Sequence, residues 1–226
     1  MFKVTVLTQN LKTAVSLASH AVSNRSQLPI LLNFLLETKG GELYISATDL
    51  EIGIKIKTPA KIEKEGQVCV MAKTFLDLIS NIDQEKITLT QEEKILILEG
   101  NKIKTRFPTT PPEDFPALYK QRGEKQAEFK KEEFDRLVQR IVFSSAQDLG
   151  RPALSGVLIK GEGEKLTIVA TDGYRLSLNQ GILEAKKGSG ESLLVPARVI
   201  REVVGLKQGG KTIVLYTSKE NNQVLF

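Results

Sequence analysis

The stretch "ISATDLEIGIK" at 45–55 returns as "VATDGYRLSLN" at 169–179, and a 226-residue chain that repeats itself in this way is constrained to fold as two copies of one unit. Asp49 recurs as Asp172 and Pro29 as Pro152, each 123 residues further on, so two landmarks align without a gap. Around them, "QLPILLNFLLETKGGELYISATDLEIGI" and "GRPALSGVLIKGEGEKLTIVATDGYRLSL" each read as an apolar run, a glycine-rich turn and a second apolar run ending in Ala-Thr-Asp. That punctuation predicts strand, hairpin turn and strand in both halves.

The correspondence extends on both sides. Residues 8–23 place Leu11, Ala14, Val15, Ala18 and Val22 at helical spacing, and residues 130–145 do the same with Phe134, Leu137, Val138 and Ile141. Downstream, "VCVMAKTFLDLISNI" and "LLVPARVIREVVGLK" each pass from a short strand into a second helix, with Phe75, Leu76 and Ile79 or Val199, Ile200 and Val203 as the apolar stripe. Strands "KITLTQ" and "KILILEG" then match "KTIVLYT" and "QVLF". The fold class expected is α+β, tandem repeats of an antiparallel sheet backed by two helices on one face. The proline-rich stretch "FPTTPPEDFPALYKQRGEKQ" at 107–126 reads as an extended connector, which puts one domain at 1–120 and the other at 121–226. Nothing after "QVLF" matches the "GNKIKTRFPTT" that comes after "KILILEG", so the second copy is expected to lack its last strand, by truncation or as a shorter natural copy.

Composition then removes whole classes of function. With 41% hydrophobic and 26% charged residues the chain belongs with folded proteins. No apolar stretch approaches the roughly 20 residues of a membrane span, and "MFKVTVLTQN" lacks the parts of a signal peptide, so a cytoplasmic location with no membrane partner is expected. One cysteine, Cys69, and one histidine, His20, exclude a disulfide framework and a Cys/His zinc site. Cys69 reads as a small core side chain and His20 as an ordinary helix residue. A net charge of +5 permits a nucleic-acid partner without requiring one.

Six collinear motifs carry a resemblance that covers essentially the whole chain: "LPIL" at 28–31, "ATDLEIGI" at 47–54, "FPTTPPEDFP" at 107–116, "RPALSGV" at 151–157, "VATDGYRL" at 169–176 and "VPAR" at 195–198. The sequence resembles the bacterial sliding clamps, the beta subunits of DNA polymerase III. The resemblance implies the DNA-clamp fold and a homodimeric head-to-tail ring with three similar domains per subunit, sheets outside and helices lining a hole for duplex DNA. The third domain of that pattern has no counterpart in these 226 residues. It further implies a non-catalytic processivity factor, with double-stranded DNA, the replicative DNA polymerase, the clamp loader and repair proteins as partners, and no cofactor or metal.

A protein that holds DNA and slides along it needs phosphate attraction without base readout, which directs attention to basic helix faces. Arg198 and Arg201 are three residues apart and share a face, with Lys207 extending it. Lys73 stands where Arg198 stands in the other copy; Arg136 and Arg140 share a face of the third helix, and the first helix offers Lys12 with Arg25 in the loop after it. Any solvated helix carries such residues, so composition alone leaves a plain surface role open. By position, the resemblance implies that Arg25, Lys73 and Arg198 face DNA, ranked ahead of Lys12, Arg136 and Arg201.

The two copies of Ala-Thr-Asp lead into different residues. In an extended segment Thr171, Gly173 and Arg175 tend to one face and Asp172, Tyr174 and Leu176 to the other, unless the chain bends at the glycine. The first copy has Leu50, Glu51 and Ile52 there, side chains expected to fill a hollow that Gly173 leaves open. Backbone access at Gly173, a floor of Leu154 and Leu176 and a rim of Tyr174 and Arg175 are the parts of a peptide-binding notch; the bland alternative is a plain strand turn. The resemblance implies that Leu154, Thr171, Gly173, Tyr174, Arg175 and Leu176 form one wall of the pocket for partner peptides. The other wall comes, in the family, from beyond the second domain, so weak peptide binding is expected.

Two signals point elsewhere. "GLKQGGKT", Gly205 to Thr212, fits the phosphate-loop pattern, but a helix enters it and a strand leaves, the reverse of what cradling a phosphate needs. Asp49 and Asp172 could be imagined as a paired-carboxylate metal site of a nucleic-acid-processing enzyme, although an Asp that ends a strand more often caps a turn. No catalytic set is assembled. The alternatives to a clamp are a repeat adaptor that binds peptides without DNA and, behind it, that metal-dependent enzyme.

Overall fold

Alternation of apolar and polar residues forms the first strand, β1 (Lys3–Leu7), which buries Val4 and Val6 and turns Lys3 and Thr5 outward. In this computed structural model, which describes residues 2–23, 27–119, 122–148, 150–182, 188–206, 210–218 and 223–226, the chain divides into two units, Met1–Leu118 and Tyr119–Phe226.

After β1 the first unit continues through α1 (Thr8–Ala18), β2 (Asn33–Lys39), β3 (Glu42–Thr48), β4 (Gly53–Lys64), β5 (Gln67–Met71), α2 (Ala72–Asn81), β6 (Lys86–Glu92), β7 (Ile95–Glu99) and β8 (Lys104–Thr110). All neighbours are antiparallel, and the order β1-β4-β3-β2-β5-β8-β7-β6 closes when β6 returns to β1. Closure depends on the long β4, which pairs with β3 over Gly53–Pro59 and with β1 over Ala60–Lys64. Helices α1 and α2 bury Leu11, Ala14, Val15, Ala18, Phe75 and Ile79, and Phe75 meets Phe34 and Phe107 edge-on at 6.5 and 5.4 Å between ring centroids. Cys69 is a core side chain, and burial pushes its thiol up to about 12.

The connector expected from residue 107 begins later. Residues through Thr110 belong to β8, which pairs with both β7 and β5 and so supplies partners to two strand edges. Beyond it, Phe115 is buried, and Leu118 packs so closely over Gly53 that a Cβ there would lie 2.8 Å from Leu118 Cδ2. This proline-rich segment is therefore packed on the first unit.

The second unit runs β9 (Glu124–Lys130), α3 (Lys131–Gln139), a short α4 (Pro152–Ser155), β10 (Gly156–Gly163), β11 (Lys165–Thr171), β12 (Leu176–Ile182), β13 (Gly188–Pro196), α5 (Ala197–Gly205), β14 (Thr212–Ser218) and β15 (Gln223–Leu225). Its strands form two antiparallel sheets, β12-β11-β10-β13 and β15-β14-β9, so β13 and β15 each end a sheet where β8 joins β5 and β7 in the first unit. Phe134 of α3 packs between Phe129 and Phe226 at 5.2 and 6.1 Å.

Two helices are shorter than their periodicity predicts. The one over 8–23 ends at Ala18 and continues as a 3-10 turn, Ser19–Ala21; the one over 130–145 ends at Gln139, before a 3-10 turn at Val142–Ser144. Serine hydroxyls there take local partners that compete with a continuing helix: Ser19 Oγ donates to Ser16 O, and Ser145 Oγ to Val142 O.

Candidate functional site

The repeated Thr-Asp is one tight turn built twice. Thr48 Oγ1 donates to Ile52 O at 2.8 Å and accepts from the Leu50 N–H at 3.0 Å, while Asp49 Oδ1 accepts from the N–H groups of Glu51 and Ile52 at 3.1 and 2.8 Å. In the second unit Thr171 Oγ1 donates to Arg175 O at 2.7 Å and accepts from the Gly173 N–H at 3.1 Å. Asp172 Oδ1 accepts from the N–H groups of Tyr174 and Arg175, both at 3.0 Å. Each carboxylate thus serves as a turn cap, the role more common for an Asp that ends a strand. Among the described residues no three His, Cys, Asp or Glu side chains cluster as a metal cage.

The turn forces its third residue into the left-handed region, φ +77° at Leu50 and +91° at Gly173. Leu50 does not fill a hollow: it is 61% exposed, Glu51 is exposed too, and only Ile52 is buried. A Cβ on Gly173 would make ordinary contact, 3.8 Å from Leu154 Cδ1, so backbone conformation and not lack of space calls for glycine there.

The expected notch residues are brought together. Tyr174 is 95% and Leu176 is 64% exposed, Leu154 lies next to Gly173, and the bend puts Leu176 opposite Thr171 on the same face of the sheet. Arg175 is held at both ends of its guanidinium: Nε donates to Asp172 Oδ2 at 3.0 Å and Nη2 to Phe143 O at 2.9 Å. The backbone N–H groups of Arg175 and Tyr174, and then the Arg175 side chain, hold the Asp172 carboxyl below its ordinary range. Sequence reasoning missed Phe143, an exposed ring 5.4 Å from the Arg175 guanidinium, because it falls off the apolar stripe of the helix expected over 130–145. It also missed the outward row that Leu194, Leu158, Val169 and Leu178 form across the sheet, with three of the four well exposed leucines. The alternation of "LSLN" at 176–179 carried that signal.

The basic residues divide by position on their helices. Lys73 and Arg198 are exposed at the second residue of α2 and α5, whose first turns contain no acidic residue. A helix N-terminus disfavours a cation by about 0.3–1 kcal/mol, so the dipole does not account for the positive charge that both sites hold beside the backbone N–H groups of the first turn. Arg136 is exposed in the last turn of α3, where a cation suits the dipole, and that helix starts with Glu132 and Glu133. Lys12 is half-buried on α1. Arg201 is exposed, but its Nη2 donates to Val142 O at 3.2 Å and to Ser145 Oγ at 3.1 Å. Arg25 and Lys207 lie outside the described residues. Around "GLKQGGKT", α5 enters and β14 leaves, the order opposite to a phosphate loop.

Comparison with known proteins places both units in one family. Residues 2–119 match the family described as DNA polymerase III beta subunit, N-terminal domain, and residues 128–226 match its central domain. The chain is similar to the beta sliding clamp of Haemophilus influenzae, 30% identical over 88% of this chain and 54% of that protein. It is also similar in structure to the Thermotoga maritima beta subunit, with TM-score 0.86 and 29% identity over 97% of this chain and 60% of that one. The griselimycin-bound clamp of Pseudomonas aeruginosa aligns with TM-score 0.88 and 25% identity over 96% of this chain and 60% of that one. The chain thus spans somewhat more than half the length of these relatives.

Proposed function

Since the chain belongs to the DNA polymerase III beta subunit family, we propose that it acts as part of a sliding clamp in the bacterial cytoplasm: a non-catalytic tether that holds duplex DNA and presents a peptide notch to partner proteins. The observation that carries the DNA side is the pair of cations at helix starts, Lys73 and Arg198, placed against the dipole and on equivalent helices of the two units. Such cations attract phosphates without reading bases, which is what sliding needs. On the partner side, Gly173, Tyr174, Arg175, Leu176 and Leu154 offer an exposed aromatic and aliphatic surface beside a fixed guanidinium, fitted to a short apolar segment of the polymerase, clamp loader or repair proteins. Tethering at this notch raises the effective concentration of polymerase at its template.

Binding of the purified chain to duplexes of unrelated sequence, measured from low to moderate salt with magnesium present, tests the reading. Expected are equal affinities for all sequences, a linear fall of log K with log salt, and intact DNA. No duplex binding at low salt would favour the peptide adaptor, for which the exposed leucine row speaks, and cleavage would favour the enzyme.

A further inference from the structure

Side chains and backbone from three other elements converge on residues 142–146. Arg201 of α5 donates from Nη2 to Val142 O and Ser145 Oγ, and Arg175 of the notch donates from Nη2 to Phe143 O with its guanidinium over the Phe143 ring. Ser144 Oγ lies 2.6 Å from Ser177 Oγ on β12, and the Ala146 N–H donates to Leu154 O at 2.8 Å. Ser144 and Ser145 are 0% and 3% exposed, so their hydroxyls sit where water does not compete. Neighbouring carbonyls of one short turn are therefore gripped by two guanidiniums, one from the basic helix and one from the notch.

A guanidinium fixed to a carbonyl and a buried hydroxyl is ill suited to exchanging phosphates as DNA slides. We propose that Arg201 is a positioning residue of the peptide notch, acting through residues 142–145 on Phe143 and Arg175, and not a phosphate contact. The proposal rests on the sliding-clamp reading for what the notch and the basic helix do. The Nη2 of Arg201 holds both Val142 O and Ser145 Oγ, which sets the height of Phe143, whose carbonyl and ring in turn set where the Arg175 guanidinium stands.

The test compares Arg201→Gln, Arg201→Lys and Arg198→Gln with the parent chain, by amide and arginine Nε–H resonances and by the salt dependence of duplex binding. In Arg201→Gln the resonances of Gly173, Ser177 and the Arg175 Nε–H move while the salt slope stays put; Arg201→Lys, which keeps a charged donor but with a shorter reach, restores part of the shift. In Arg198→Gln the slope falls by about 0.9, the share of one phosphate contact, and the notch resonances stay. A slope lowered by about 0.9 in Arg201→Gln with unmoved notch resonances overturns the proposal, as do shifts spread evenly through the second unit with no recovery in Arg201→Lys. Should the parent bind no duplex, the sliding-clamp reading fails, yet the notch resonances still decide what Arg201 holds.

Discussion

A leucine at φ +77° and a glycine at +91° occupy the same place in two copies of one turn, and the difference is energetic before it is functional. The left-handed region costs a side-chain-bearing residue about 1–2 kcal/mol. Leu50 bears that strain while 61% exposed, so little burial offsets it. Gly173→Ala is expected to destabilise the second unit by about 1 kcal/mol through the backbone alone, since its Cβ finds room beside Leu154. Leu50→Gly removes a comparable strain but adds about 0.5–1 kcal/mol of unfolded-chain entropy, leaving a net effect from neutral to slightly stabilising. Urea unfolding of the two variants should therefore move in opposite directions or leave only Gly173→Ala displaced. A loss in Leu50→Gly as large as in Gly173→Ala would mean that the Leu50 side chain makes contacts that outweigh its strain. The recurrence of Thr-Asp was legible in the sequence. The positive φ behind it was not, because leucine is the last residue from which it would be inferred.

Among the elements, the helices were read most accurately along their buried stripes and least accurately at their ends. Phe134, Val138 and Ile141 are all buried as their spacing predicts, but Ile141 lies past the end of α3, where serine side chains take over the local hydrogen bonding. The same limit hid Phe143. The first turn of α3 carries Glu132 and Glu133 behind Lys131, whereas the first turns of α2 and α5 carry Lys73 and Arg198 and no acidic residue. Replacing either cation by glutamate gains about 0.3–1 kcal/mol from the dipole but sets a like charge one turn from Asp77 or Glu202, so stability is expected to change little at low salt while duplex binding weakens. Arg136→Glu should instead lower stability and change binding less. Melting curves alongside DNA titrations check the pairing of signs; a variant at Lys73 or Arg198 that loses both stability and binding would make these cations structural.

At the scale of the whole molecule the repeat was visible, and so was the antiparallel α+β class, because both rest on apolar patterning that needs no long-range information. Closure was not. That β8 joins β5 and β7, and that β4 bends to serve both β3 and β1, depends on pairings between residues far apart in the chain, such as Val6 with Ala60 and Cys69 with Thr110. In the second unit β13 and β15 end their sheets, and each presents a row of backbone donors and acceptors along an edge. Such edges are open to pairing with further chain, and they bear on how firmly this chain can enclose DNA. A protein held only by phosphate attraction leaves a nicked circle and a linear duplex of equal length at the same salt, because counterion release does not depend on whether the DNA has ends. A closed ring stays on the circle and slides off the linear form. With β13 and β15 each ending a sheet among the described residues, the chain is expected to release both forms together as salt rises, which gel filtration of the two complexes at matched salt would show. Retention on the circle alone would mean that copies of this chain close around DNA, with the edges of β13 and β15 the first surfaces to probe for the pairing that joins them.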